Sequence, residues 1–179
     1  MTAGDSAGPA GKAIGARAVG TFYAIALFVF ALDRLTKLAA LEGLAPGEDL
    51  RVLGPVLSFT LRHNTGAAWG LLAAQNRWLT YLAALMVVAL LFCGLRAGRM
   101  VGYLRLGLPL LLGGAVGNLY DRLAHGAVVD FIDFHFWPVF NVADIAIVAS
   151  ALLIGYHLLF EQLKAGPRAG RKEHECDQC

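Results

Sequence analysis

The amino-acid sequence predicts an all-α membrane protein with four transmembrane helices and a small β-sheet on the extracytoplasmic side. Three observations lead there. Hydrophobic residues make up 58% of the 179 and charged residues 16%, whereas soluble chains average about 45–50% and about 25%. The apolar residues fall into four long runs, which a domain this small has too little polar surface to cover. The basic residues gather at alternate run ends, the asymmetry that orients helices in a bilayer. A net charge of +2 gives no reason to expect nucleic acid as a partner; the lipid bilayer is the first partner implied.

Residues 1–17 are rich in Gly and Ala without periodicity and read as a flexible cytoplasmic tail. The first span runs from Val19 to Leu41. Its apolar stretch passes straight into Asp33, Arg34 and Lys37 with no small-residue cleavage site ahead of them, so it reads as an uncleaved span rather than a signal peptide. Trp78–Leu95 is the second span, free of charge and opened by an interfacial Trp. Val101–Tyr120 is the third, and its Gly113 and Gly117 form a GxxxG pattern that lets a neighbouring helix approach closely. Val142–Phe160 is the fourth. Residues 18–163 thus form one four-helix domain, and 164–179 a second cytoplasmic tail.

Arg96 and Arg99 sit in the short middle loop with Arg105 near the start of the third span, Lys164, Arg168, Arg171 and Lys172 in the C-terminal tail, and Lys12 and Arg17 in the N-terminal one. Both termini and the middle loop are therefore expected in the cytoplasm. The outer loops are about 42–77 and 120–140. In the first of them, Leu57–Arg62 alternates apolar and polar residues between two turn signals, the pattern of a strand with one wet face.

Three cysteines give no disulfide framework. Cys93 reads as a small packing residue. Cys176 and Cys179 lie beside His174 but fall short of the four ligands of a structural metal site, so a solvated tail end is the plainer reading. No metal and no cofactor is expected.

Charged and amide groups beside the spans carry the functional information, because a charge in hydrocarbon must pair, face the bundle interior or line a wet pocket. Asp33, Arg34, Lys37, Asn118, Asp121, Arg122, Asp130, Asp133, Asn141 and Asp144 all map to the outer interface. Each has a plain reading. Asp33 and Lys37 are spaced as an intrahelical pair, Asn141-Val-Ala-Asp144 as a capping box, and Asp133 as a solvated loop residue; His63, His125 and His135 read as surface groups, with His157 packed near the end of span four. Together, at one depth, they favour a shared site. The group holds no HExxH, P-loop or Ser-His pair, but two carboxylates suffice to hydrolyse a peptide bond. Repulsion keeps one protonated to hydrogen-bond the scissile carbonyl while the other takes a proton from water.

Five blocks narrow this reading. Asp33-Arg-Leu-Thr-Lys37, Asn64-Thr-Gly-Ala-Ala-Trp-Gly70, Gly114-Ala-Val-Gly-Asn-Leu-Tyr-Asp-Arg122, Val128-Val-Asp-Phe-Ile-Asp133 and Trp137-Pro-Val-Phe-Asn-Val-Ala-Asp144 resemble, in order and spacing, the signal peptidase II (lipoprotein signal peptidase) family over roughly residues 20–160. The resemblance implies a four-span intramembrane aspartyl peptidase of the bacterial inner membrane with an extracytoplasmic β-cradle. It further implies prolipoprotein substrates, cut before a diacylglyceryl-modified cysteine. The catalytic residues it implies are Asp130 and Asp144, with Asp33, Lys37, Asn64, Asn118, Asp121, Arg122 and Asn141 lining or bracing the site. The residues alone do not single out Asp130 from Asp121 or Asp133. Asp144 falls in the first turn of a helix, where the dipole favours negative charge, so it is expected to be the ionised partner and Asp130 the protonated one. The chain is expected to act as a monomer. Rival readings are a small transporter, which would need polar groups in the inner halves of its spans and tends to show repeats, and a scaffold whose polar residues only join helices.

Overall fold

The computed structural model describes residues 9–45, 47–66 and 76–164. Among these residues four α-helices and three strands follow one another: α1 (Pro9–Gly43), β1 (Asp49–Leu53), β2 (Leu57–Asn64), α2 (Asn76–Gly94), α3 (Leu104–His125), β3 (Val128–Asp133) and α4 (Val142–Lys164). A 3-10 turn, Ala97–Arg99, joins α2 to α3. Three of the helices, α1, α2 and α4, are long and apolar enough to cross a bilayer by length and composition. The glycine-rich α3 is the centre of the bundle and packs against each of the other three.

The glycines explain how α3 takes that place. A methyl group added at Gly113 would lie 2.6 Å from the Ala26 carbonyl on α1, and one at Gly114 would lie 2.5 Å from the Ala143 carbonyl on α4. Backbones this close leave no room for any side chain, which is what the GxxxG spacing offers. Next to this contact, Phe22, Ala26, Val87, Leu90, Leu112 and Ala115 form a core between α1, α2 and α3. The outer helix faces carry Leu27, Phe28, Leu82, Leu85, Phe92, Val148 and Leu152, all exposed. An apolar surface on every side of a bundle suits lipid as the solvent.

Cys93 belongs to this outer surface and is not the packing residue expected from its apolar run; in a membrane helix, apolar sequence does not mark the protein interior. His157 packs as expected, its Nδ1 3.1 Å from the place a Gly102 Cβ would take. α1 begins at Pro9, inside the segment read as a tail, since an Ala-rich stretch behind a Pro at the first helical position needs no apolar period to be helical. The Cys176/Cys179 pair, His174 and most of the basic C-terminal tail lie outside the described residues, as do residues 67–70 of the second motif block.

At the end of the bundle where α1 and α3 finish and α4 starts, the strands form an antiparallel sheet in the order β1-β2-β3. The strand expected at 57–62 is β2. The sequence pattern does not predict β1 or β3. β1 is exposed along its whole length and lacks a buried face to impose alternation, while the first four residues of β3 are all buried, so its apolar run has no period of two. Phe131 joins Ala40 of α1 and Leu44 just past its end in a second core beneath the sheet.

Candidate active site

The site is built from α1 outward. Asp33 and Lys37 stand one turn apart and both are fully buried, with Lys37 Nζ 2.9 Å from Asp33 Oδ2. The pair foreseen from the spacing is present, but it does not stay within its helix. Lys37 Nζ also lies 2.7 Å from Asp121 Oδ2 and donates to Asn118 Oδ1 at 3.0 Å, so its charge faces two carboxylates and an amide oxygen. An unpaired charge at the centre of a span costs about 2.5–3.5 kcal/mol on insertion scales. Burial of both charges is therefore tolerable only with partners this close.

Asp121 is the next node. Its Oδ1 receives the guanidinium of Arg34, which also stacks 4.4 Å above the Tyr120 ring, and its Oδ2 accepts the Val129 backbone N–H at 3.2 Å. One carboxylate thus joins α1, α3 and β3. Asp33 makes the matching link to α4 by accepting the Ala143 N–H at 2.9 Å.

The first turn of α4 has the reciprocal capping box that Asn141-Val-Ala-Asp144 predicts. The Asp144 N–H donates to Asn141 Oδ1 at 2.9 Å, and the Asn141 N–H to Asp144 Oδ2 at 3.3 Å. The capping box also serves the site. Asn141 Nδ2 donates to Asp130 Oδ1 at 2.6 Å, Asn118 Nδ2 to Asp144 Oδ1 at 2.7 Å, and Asn64 Nδ2 to Asp130 Oδ2 at 2.9 Å. Asp130 faces Arg62 across the β2–β3 ladder, next to a register shift between Phe59 and Arg62; such bulges re-aim side chains beside active sites.

Asp130, Asp144, Asn64, Asn118, Arg122 and Arg62 line one cavity of about 540 Å³, whose other wall is the apolar set Trp137, Pro138, Val139, Phe140, Ile147 and Val148. Burial pushes the Asp130 carboxyl up to about 7, the negative charge of Asp144 adds to the rise, and the amides of Asn64 and Asn141 oppose it. Arg122 donates to the Asn118 carbonyl at 3.4 Å, while its buried Nε has no hydrogen-bond partner among the described residues.

All nine site residues expected from the sequence therefore meet in one connected network. Asp133 does not join it: its Oδ1 accepts the His135 N–H at 2.6 Å, outside the cavity. His63, His125 and His135 are all exposed as expected, and His135 also has partners on the sheet. Sequence reasoning does not assign Arg62, Arg34 or the apolar wall. Arg62 was within reach, since it lies two residues from Asn64 on the same strand face. The residues from Trp137 to Phe140 belong to one of the motif blocks, but that they wall the cavity shared by Asp130 and Asp144 is visible only in the fold.

Comparison with known proteins agrees with this architecture. A family model described as signal peptidase (SPase) II matches residues 25–160. The lipoprotein signal peptidase of Moorella thermoacetica is 44% identical over 142 residues, covering 77% of this chain and 92% of its own length. That of Bacillus velezensis is 38% identical over 148 residues, covering 80% and 96%. A bacterial membrane enzyme solved by the in meso method at 2.3 Å superposes with a TM-score of 0.73 at 28% identity, covering 89% of this chain and 95% of that one. A second, solved at 1.9 Å, gives 0.68 at 31%, covering 78% and 93%. Fold, site and relatives together define a multi-pass membrane peptidase with a small sheet capping a four-helix bundle. Within that class the chain belongs to the signal peptidase II family.

Proposed function

We propose that this protein is an intramembrane aspartyl endopeptidase that removes signal peptides from bacterial prolipoproteins, cutting before a cysteine that carries a diacylglyceryl group. The observation that carries the reading is that Asp130 and Asp144 line one cavity, with the Asn141 side chain bridging the Asp130 carboxyl and the Asp144 backbone N–H. Asp130, raised to about 7, is the member that keeps a proton, and Asp144, at the positive end of α4, is the ionised one. Asp144 takes a proton from water as the oxygen attacks the scissile carbonyl, and Asp130 gives its proton to the carbonyl oxygen. Collapse of the tetrahedral intermediate returns that proton to Asp130, and Asp144 passes its own to the leaving amine.

Arg122, on the cavity wall, brings positive charge to the side of the two carboxylates. Asn118 and Asn141 hold the carboxylates, Asn64 steadies Asp130, and Asp33, Lys37 and Asp121 lock α1, α3, β3 and α4 around them. The apolar wall from Trp137 to Val148 suits an acyl-bearing cysteine whose lipid stays in the bilayer. Residues 18–163 act as one catalytic unit, and the chain works as a monomer in the inner membrane. Basic residues around the α2–α3 turn and in both tails favour a topology with the termini in the cytoplasm and the site near the outer face.

The test is cleavage of a diacylglyceryl-modified precursor by purified protein in nanodiscs. Asp130→Asn and Asp144→Asn, made separately, should each lower the rate at least about a hundredfold, the lower end for loss of a general acid or base, while inserting and accumulating normally. Normal cleavage by either variant would refute the assignment.

A further inference from the structure

Beyond the dyad, the structure holds a second polar cluster on the sheet. His135 has a φ of 62°, the positive-φ conformation that non-glycine residues rarely adopt. Its backbone N–H donates to Asp133 Oδ1 at 2.6 Å, its Nε2 lies 3.3 Å from Ser58 Oγ on β2, and its Nδ1 lies 3.7 Å from Asp133 Oδ2. The order Ser–His–Asp is that of a nucleophilic triad. Ser58, however, is 0% exposed, so no substrate carbonyl reaches its hydroxyl and the cluster is not a second hydrolytic site.

Its position suggests another role. His135 opens the segment that runs from β3 to α4, and the same segment supplies Trp137, Pro138, Val139 and Phe140 to the cavity wall. The base of the segment is closed by backbone bonds between Ile132 and Phe140, at 2.9 and 3.0 Å, and Phe134 stacks on Phe140 with ring centroids 5.6 Å apart. The contact with Ser58 ties the near side of this loop to the middle strand, and a left-handed residue is what turns the imidazole back toward it. Strained backbone of this kind persists where surrounding contacts over-determine it, and it concentrates at ligand clamps.

We propose that His135 is a positioning residue for substrate binding: its bond to Ser58 latches the β3–α4 loop so that Trp137, Pro138 and Val139 form the wall against which the substrate's apolar part packs. The inference rests on the peptidase reading above, and concerns binding rather than chemistry, since His135 touches neither carboxylate of the dyad.

Three substitutions at this position separate the latch from its backbone. His135→Gln keeps a donor long enough to reach Ser58. His135→Asn keeps the preference for positive φ but leaves the side chain too short, and His135→Ala keeps neither. The measurement is kcat and KM for a synthetic diacylglyceryl-cysteine lipopeptide spanning a cleavage junction, with full-length protein in nanodiscs. His135→Ala and His135→Asn should raise KM about three- to tenfold, the size of one net hydrogen bond, with kcat within about twofold, and His135→Gln should restore KM. Ser58→Ala, which removes only a hydroxyl, should raise KM by the same factor and add nothing to His135→Ala. An unchanged KM in His135→Ala, recovery by Asn instead of Gln, a fall in kcat alone, or additive effects of the two alanine substitutions would each overturn the latch. Wild-type cleavage and its loss in Asp144→Asn, run alongside, report on the peptidase reading separately.

Discussion

The Asp33 carboxylate on α1 accepts the backbone N–H of Ala143, the second residue of α4, at 2.9 Å. An acidic residue from one span thereby caps the first turn of another, and that turn carries Asp144. Asn141 satisfies the next N–H in the same turn, at 2.9 Å, so two of the donors that a helix start leaves open are filled by groups of the site itself. The placement of Asp144 depends on α1 as much as on its own helix.

Substitution at Asp33 should therefore separate charge from capping. Asp33→Asn keeps an oxygen for Ala143 and leaves Lys37 paired with Asp121, whereas Asp33→Ala removes cap and charge together. Loss of one partner of a buried pair costs about 3–5 kcal/mol and loss of a cap about 1 kcal/mol. Thermal unfolding in nanodiscs should rank wild type above Asn and Asn above Ala, and cleavage should survive better in Asn. Equal melting and activity of the two variants would show that the α1–α4 cap is irrelevant.

The Asp130 carboxyl, raised to about 7, sets a pH dependence of definite sign. If Asp130 is the proton donor, the cleavage rate falls as pH rises through about 7. Stability moves the same way. Between about 4 and about 7 the folded protein holds a proton that the unfolded chain has released, so this group's contribution is complete at low pH and disappears as pH climbs through the folded value. Infrared titration of the protonated carboxyl band tests the assignment, and Asp144→Asn should move its midpoint down by removing the neighbouring charge. A midpoint near 4 in the wild type would contradict the assignment.

Small-residue contacts around α3 should tolerate no growth. A Cβ at Gly114 would lie 2.5 Å from the Ala143 carbonyl, a backbone atom in the turn that leads into Asp144, while one at Gly155 would meet nothing within 4 Å. Gly114→Ala should lower the melting temperature and displace α4, with activity lost in step. Gly155→Ala should leave cleavage intact and raise stability by up to about 1 kcal/mol, the helix-propensity difference. Comparable melting of the two variants would mean that α3 and α4 pack less closely than their backbones indicate.

Much of the site is legible in the sequence. Asp33, Lys37, Asn118, Asp121, Arg122, Asn141 and Asp144 stand out because polar groups beside apolar spans must find partners, and the capping box shows in four consecutive residues. The place of Arg62 at the cavity and the role of Trp137–Phe140 as its wall are not legible, and neither is the Ser58–His135 contact, whose partners lie 77 residues apart. Pairing over such a distance leaves no local pattern. The missed strands follow from the same physics: β1 is exposed on both faces and β3 starts buried on both, and period-two alternation needs one face of each kind.

Four helical segments built on apolar runs, the α4 cap and the pool of polar residues beside those runs were determined by the sequence alone, because each depends on the local match between residues and their surroundings. Only the tertiary structure decided which carboxylates share a cavity. Asp121 is consumed by Arg34, Lys37 and a backbone amide, Asp33 by Lys37 and the start of α4, and Asp133 turns aside to His135. Asp130 and Asp144 line the open space between strand and helix, held by the amides of Asn64, Asn118 and Asn141. Whether a buried acid becomes a strut or an acid–base group depends on the charges and donors that reach it through space, and those come from distant parts of the chain.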